Sequence, residues 1–103
     1  MEADLRVPAL CDIEVAAGLR RALRRDLVSA ERADQALRQY LLMPLTRHGH
    51  RALLARMLEL RSNFSPYDAC YVALAERLKA DLLTADERLS RAVRTHTRIS
   101  VLP

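Results

Sequence analysis

An α/β fold with a short parallel sheet flanked by helices is what this sequence predicts, and three observations predict it. Short apolar runs alternate with longer stretches of helical period. Ser65-Pro66, with Asp68 three residues after the serine, is a strong helix start ahead of a segment that is apolar on nearly every side. Pro8 and Pro44 stand where a helical pattern must begin or stop. The 103 residues contain only two glycines, Gly18 and Gly49, with no Gly- or Ser-rich linker, low-complexity segment or repeat, so they are expected to form one domain over 1–103.

Taken in order, Val7-Pro8-Ala9-Leu10 is expected to end a first short strand, and Asp12 to cap a helix running to about Leu27, with Glu14 in its first turn. Ser29 starts a second helix, with Arg32 where a capping box would place an acid. Ala33, Ala36, Leu37, Tyr40 and Leu41 form its i, i+3, i+4 stripe, and Pro44 stops it. Leu45-Thr46-Arg47 suits a short edge strand, and a helix from about His50 to Arg61 carries Leu53, Leu54, Met57, Leu58 and Leu60. Asn63 and Pro66 end that element. The helix opened by Ser65 continues through Ala-Cys-Tyr-Val-Ala-Leu-Ala at 69–75 and is expected to be central. Leu82-Leu83-Thr84 is a brief strand, Ala85 to about Arg94 a helix, and Ile99-Ser100-Val101-Leu102 a last strand.

Composition narrows the function. There is no apolar run long enough to span a bilayer, and the first six residues lack the basic-then-apolar order of a signal peptide, so no membrane association and a cytoplasmic location are expected. Two cysteines, Cys11 and Cys70, are too few for a disulfide framework. The net charge of +4 arises from 16 arginines and a single lysine against 13 acids. Four of the arginines, Arg20, Arg21, Arg24 and Arg25, lie along two adjacent strips of one helix, which suits either RNA phosphates or a solvated helical face. The scattered aromatics, three Tyr and one Phe, do not form a stacking platform for single strands.

Three acids carry the chemical signal. Functional groups of a parallel sheet gather outside the carboxyl ends of its strands. Glu14 follows the first strand, Asp86 follows Leu82 to Thr84, and Asp68 stands at a helix N-terminus, so all three fit one rim. Each has a plain structural reading: Asp68 as partner of Ser65 in a capping box, Asp86 as a helix N-cap, Glu14 as a surface residue. Together they suit Mg²⁺ or Mn²⁺, which take carboxylate oxygens, waters and phosphate oxygens in octahedral geometry. Without a cation, crowded carboxylates repel.

The run Ser65-Pro66-Tyr67-Asp68-Ala69-Cys70-Tyr71-Val72-Ala73-Leu74-Ala75-Glu76, followed by Leu82-Leu83-Thr84-Ala85-Asp86-Glu87-Arg88-Leu89, closely resembles PIN-domain proteins of the VapC toxin family. The resemblance extends upstream through Val7-Pro8-Ala9-Leu10, Ile13-Glu14-Val15 and Leu19-Arg20-Arg21, and so covers essentially the whole chain. It implies a PIN-like three-layer α/β fold and a Mg²⁺- or Mn²⁺-dependent endoribonuclease that cleaves single-stranded RNA. It also implies a cognate VapB-like antitoxin as partner and admits a homodimer. By the resemblance, Glu14, Asp68 and Asp86 are metal-site carboxylates, and Thr84 is the hydroxyl residue that orients the last acid or a metal-bound water. PIN domains begin with a hydrophobic strand ending in a further Asp, which no residue here supplies. The chain is therefore expected to be N-terminally truncated and helix-rich, with activity reduced or lost. A non-catalytic module that binds the antitoxin is the alternative.

His48-Gly49-His50 lacks a third ligand at zinc spacing, and Tyr67 and Tyr71 suit core or antitoxin-groove contacts better than catalysis.

Overall fold

The computed structural model describes residues 4–102. The chain divides into two units, Met1–His48 and Gly49–Pro103. Both mix helices with parallel strand pairs, as the alternation of patterns predicts.

In the first unit, β1 (Leu5–Pro8) pairs in parallel with β2 (Leu45–His48), Leu5 opposite Leu45 and Pro8 opposite His48. The Ala9 N–H extends the ladder to the His48 carbonyl at 2.8 Å. The strand ends two residues earlier than expected, and α1 (Leu10–Arg24) begins before Asp12. Asp12 therefore lies in the first turn and Glu14 in the second. The reason is tertiary: the Asp12 carboxylate accepts hydrogen bonds from the Tyr40 hydroxyl at 2.7 Å and from Arg47 Nε at 2.8 Å, instead of capping its own helix. α1 also stops short of Leu27. Asp26 adopts φ 54°, and the Leu27 N–H reaches back to the Ala22 carbonyl at 2.9 Å while the Asp26 N–H bonds Leu23, which is a Schellman closure.

α2 (Ala30–Leu42) starts as expected, with Ser29 Oγ accepting from the Arg32 N–H at 3.0 Å, and stops before Pro44. An Asp34–Arg38 pair spans one turn. The predicted apolar stripe is mostly uncovered: Ala33 is buried, Ala36 and Tyr40 are half-buried, and Leu37 and Leu41 are exposed. Periodicity places those residues on one face but carries no information on what covers it.

In the second unit, the helix expected over 50–61 is a tighter 3₁₀ turn (Arg51–Leu53) followed by a short α3 (Leu54–Glu59). The chain then leaves helical geometry so that Leu60 and Phe64 enter the core. α4 (Pro66–Leu78) is the central helix of this unit, burying Ala69, Cys70, Val72, Ala73, Leu74 and Ala75. Lys79 closes it in the left-handed region at φ 51°, with the Ala80 N–H bonding the Ala75 carbonyl at 3.0 Å. β3 (Leu82–Leu83) pairs in parallel with β4 (Val101–Leu102), which is shorter than the expected 99–102 strand. α5 (Glu87–His96) begins two residues later than expected because Asp86 is its N-cap.

Leu60, Phe64, Ala69, Val72, Ala75, Leu82, Leu89 and Val93 form the core, with Met57, Tyr71, Ile99 and Val101 packed against it. Arg56 ties α3 to α4 by two parallel bonds to Glu76, of 2.7 and 3.0 Å.

Candidate metal centre

Asp68 and Asp86 meet at helix N-termini of the second unit. Asp68 sits at the third position of α4, where its own N–H is capped by Ser65 Oγ at 3.1 Å. Its carboxylate is turned to α5: Oδ2 accepts from Arg88 Nη2 at 3.0 Å. Asp86 divides its two oxygens. Oδ1 caps α5 by accepting from the Leu89 N–H at 3.1 Å, and Oδ2 lies 3.5 Å from the same Arg88 Nη2. One guanidinium nitrogen therefore serves both carboxylates, and the N-cap and charge-site readings of Asp86 hold together, one oxygen each. Asp68 is 21% exposed and Asp86 48%, so both stand at the rim of the core and remain open to solvent.

Thr84 follows β3 directly. Its N–H continues the ladder to the Leu102 carbonyl at 3.2 Å, and its Oγ1 accepts from the Asp86 N–H at 3.1 Å. That bond sets the backbone of Asp86 from the strand end, placing the acid at the carboxyl side of the sheet. A cleft of about 420 Å³ adjoins it, lined by Thr84, Ala85, Asp86, Glu87, Ser90 and Arg94.

Glu14 is exposed on α1 in the first unit. Within either unit, among the described residues, no three His, Cys, Asp or Glu side chains form a metal-holding group. Two of the three expected acids thus come together around Arg88. Arg20, Arg21 and Arg24 are exposed on α1, and Arg25 follows at its end. Arg21 and Arg24 lie in the last turn, where cations suit the helix dipole.

The oxygen donors fit a hard divalent cation. Both Oδ2 atoms face one positive charge, and neither carboxylate is locked into a bidentate pair. Sequence reasoning did not single out Arg88, yet a signal was available: it occupies the second position of α5, where the helix dipole disfavours a cation. An arginine there calls for acidic partners. Asp68 first and then Asp86 raise the Arg88 pKa further, so it is cationic throughout.

A second polar cluster, in the first unit, was also missed. Arg47 bonds Asp12 and lies 5.8 Å from the centre of the Tyr40 ring, while the Tyr40 hydroxyl reaches Cys11 Sγ at 3.4 Å. Arg47 and then Tyr40 hold the Asp12 carboxyl below its usual range, and partial burial with the bonds to Cys11 and Asp12 pushes the Tyr40 phenol up. The cluster joins α1, α2 and β2.

His48 stands beside Arg6, with 3.4 Å between Nε2 and Nη1, and His96 meets Phe64 edge-on at the end of α5. Tyr67 is exposed and Tyr71 packs against the core. No helix among the described residues is long and apolar enough to cross a membrane.

Comparison with known proteins agrees with the motif. The PIN domain family model matches residues 1–94. The VapC ribonuclease Mb0985 of Mycobacterium bovis is 44% identical over 99 residues, covering 96% of this chain and 78% of that protein. Two Mycobacterium tuberculosis proteins are also similar. Ribonuclease VapC3 is 41% identical over 88 residues, covering 85% of this chain and 64% of its own length. Ribonuclease VapC1 is 43% identical over 86 residues, covering 82% and 65%. With the parallel α/β architecture and the paired aspartates already in place, these similarities make the chain a PIN-domain protein of the VapC family.

Proposed function

We propose that the chain is the toxin component of a type II toxin-antitoxin system, a single PIN domain that hydrolyses single-stranded RNA with Mg²⁺ or Mn²⁺. The convergence of Asp68 and Asp86 on one positive charge at the carboxyl side of β3 carries this reading. Asp68 and Asp86 would hold the cation, and Glu14 is proposed as a metal carboxylate on the family resemblance alone. Bound there, the ion supplies an activated water and neutralises charge developing on the phosphate. Thr84 holds Asp86 in place, and Arg94, lining the adjoining cleft, offers a guanidinium suited to an RNA phosphate. Arg20, Arg21, Arg24 and Arg25 are proposed as a further backbone-neutralising strip. A VapB-like antitoxin is the proposed partner, with a homodimer and a cytoplasmic location.

Cleavage by these 103 residues is expected to be slow, because the resemblance calls for a fourth carboxylate beside these three, and small misplacements of an attacking water cost orders of magnitude in rate. The test measures Mn²⁺ binding and cleavage of single-stranded RNA for the chain and for Glu14→Gln, Asp68→Asn and Asp86→Asn. Each aspartate change is expected to weaken Mn²⁺ binding by about ten-fold or more and to abolish residual cleavage. Cleavage that survives all three substitutions would sink the reading.

A second reading is a non-catalytic module that retains the antitoxin. An apolar cleft of about 270 Å³, lined by Leu54, Met57, Leu58, Arg61, Phe64 and Pro66, favours it. Antitoxin co-purification without Mn²⁺ binding selects this reading over the first.

A further inference from the structure

We propose that Arg88 is a built-in counter-ion that occupies the place of the divalent cation between Asp68 and Asp86, and that the metal enters by displacing it. The inference rests on the metal-site reading above and adds to it a resident competitor.

Three features point to it. The first is geometry: a single nitrogen, Nη2, lies 3.0 Å from Asp68 Oδ2 and 3.5 Å from Asp86 Oδ2, so one positive charge faces both carboxylates. The second is position. Arg88 stands in the first turn of α5, at the positive end of the helix dipole, where its ion pairs with Asp68 and Asp86 offset that placement. Asp86 Oδ1 is engaged by the Leu89 N–H, which leaves Oδ2 as the oxygen facing the guanidinium. The third is exposure. The Arg88 side chain is 68% exposed, so its ion pairs are screened and weak, and its long arm can swing into solvent without disturbing the core.

These features describe a displaceable occupant rather than a permanent brace. Without metal, Arg88 relieves the repulsion between two carboxylates brought together by the helix starts. Asp68 and Asp86 would hold a divalent ion through the oxygens that Arg88 now faces, and Arg88 would then turn into solvent. In the absence of metal one guanidinium offsets half of the charge of the two carboxylates, so the site would stay anionic and attractive to a divalent cation.

The test uses the full chain with Arg88→Gln, which keeps hydrogen-bonding capacity and removes the charge, and Arg88→Lys, which keeps the charge. Free Mn²⁺ is counted by electron paramagnetic resonance, and melting is followed with and without Mn²⁺. Arg88→Gln is expected to bind Mn²⁺ about two- to five-fold more tightly than the parent chain, and Arg88→Lys to stay close to it. Without metal, Arg88→Gln melts lower than the parent, and Mn²⁺ raises its melting temperature by the larger increment. Mn²⁺ affinity unchanged or weakened in Arg88→Gln, while Asp86→Asn still loses Mn²⁺, would overturn the counter-ion role and leave the metal site standing. Mn²⁺ binding indifferent to Asp68→Asn and Asp86→Asn would remove the site reading, and the counter-ion role with it.

Discussion

The two units of this chain are held by different forces. In the second, eight apolar side chains from α4, α5, β3 and the preceding loop form a continuous core. In the first, Pro8 and Ala33 are the buried residues among those described, and the tertiary ties that stand out are polar: Asp12 between Arg47 and Tyr40, beside a four-residue parallel strand pair. Helical apolar residues are plentiful in both. In the first they stay uncovered, with Leu42 84% exposed and Leu41 and Ile13 each above 60%. The difference shows why the paired aspartates belong to the second unit. A carboxylate pair keeps its spacing only if the helix starts bearing it are anchored, and α4 and α5 are anchored through Val72 and Val93, both fully buried.

The largest effect that would break this contrast comes from the core. Phe64→Ala is expected to cost about 3–5 kcal/mol, whereas Leu41→Ala, at a 66% exposed site, is expected to change stability by no more than about 0.5 kcal/mol. Urea unfolding measures both, and hydrogen exchange shows whether the Phe64 loss is confined to amides of α4 and α5. Comparable costs at the two sites would show that the exposed face of α2 is covered in solution.

A smaller, stabilising effect is expected at the end of α4. Lys79 holds φ 51°, a conformation that disfavours a side chain, so Lys79→Gly should raise stability by up to about 1 kcal/mol, less the entropy glycine gives the unfolded chain. A measured loss would mean that the Lys79 side chain contributes more than its backbone strain removes.

The smallest effect sharpens the account of the first unit. Arg47 and Tyr40 depress the Asp12 carboxyl in the folded state, so its contribution is present above the ordinary carboxylate pKa of about 3.9 and is lost as pH falls through the depressed folded value. Amides of α1 and β2 are expected to lose exchange protection over that acid range, and Asp12→Asn to flatten the dependence. An unchanged acid profile in Asp12→Asn would assign the acid sensitivity to other carboxylates.

Local signals in the sequence were sufficient for several elements. Ser29 and Ser65 cap the helices they were expected to cap, Pro44 follows the end of α2, and the segment 69–75, apolar on nearly every side, is buried except for the half-buried Tyr71. Boundaries failed where a distant partner outbid a neighbour. Asp12 was drawn from capping to Arg47 and Tyr40, and α1 began at Leu10 instead. The long helix expected from His50 was shortened because Leu60 and Phe64 had to turn inward.

The same division holds for the function. By itself the sequence determined the family, the order of helices and strands, and the two aspartates at helix starts, since each depends on residues close together along the chain. Only the tertiary structure decided that Asp68 and Asp86 face each other across one guanidinium, because 18 positions of chain separate them and their meeting depends on how α4 and α5 pack on a shared core. It also decided that one oxygen of Asp86 caps a helix while the other faces charge. The cap was legible in the sequence, but the division of the two oxygens is a matter of side-chain direction, on which neither composition nor spacing carries information.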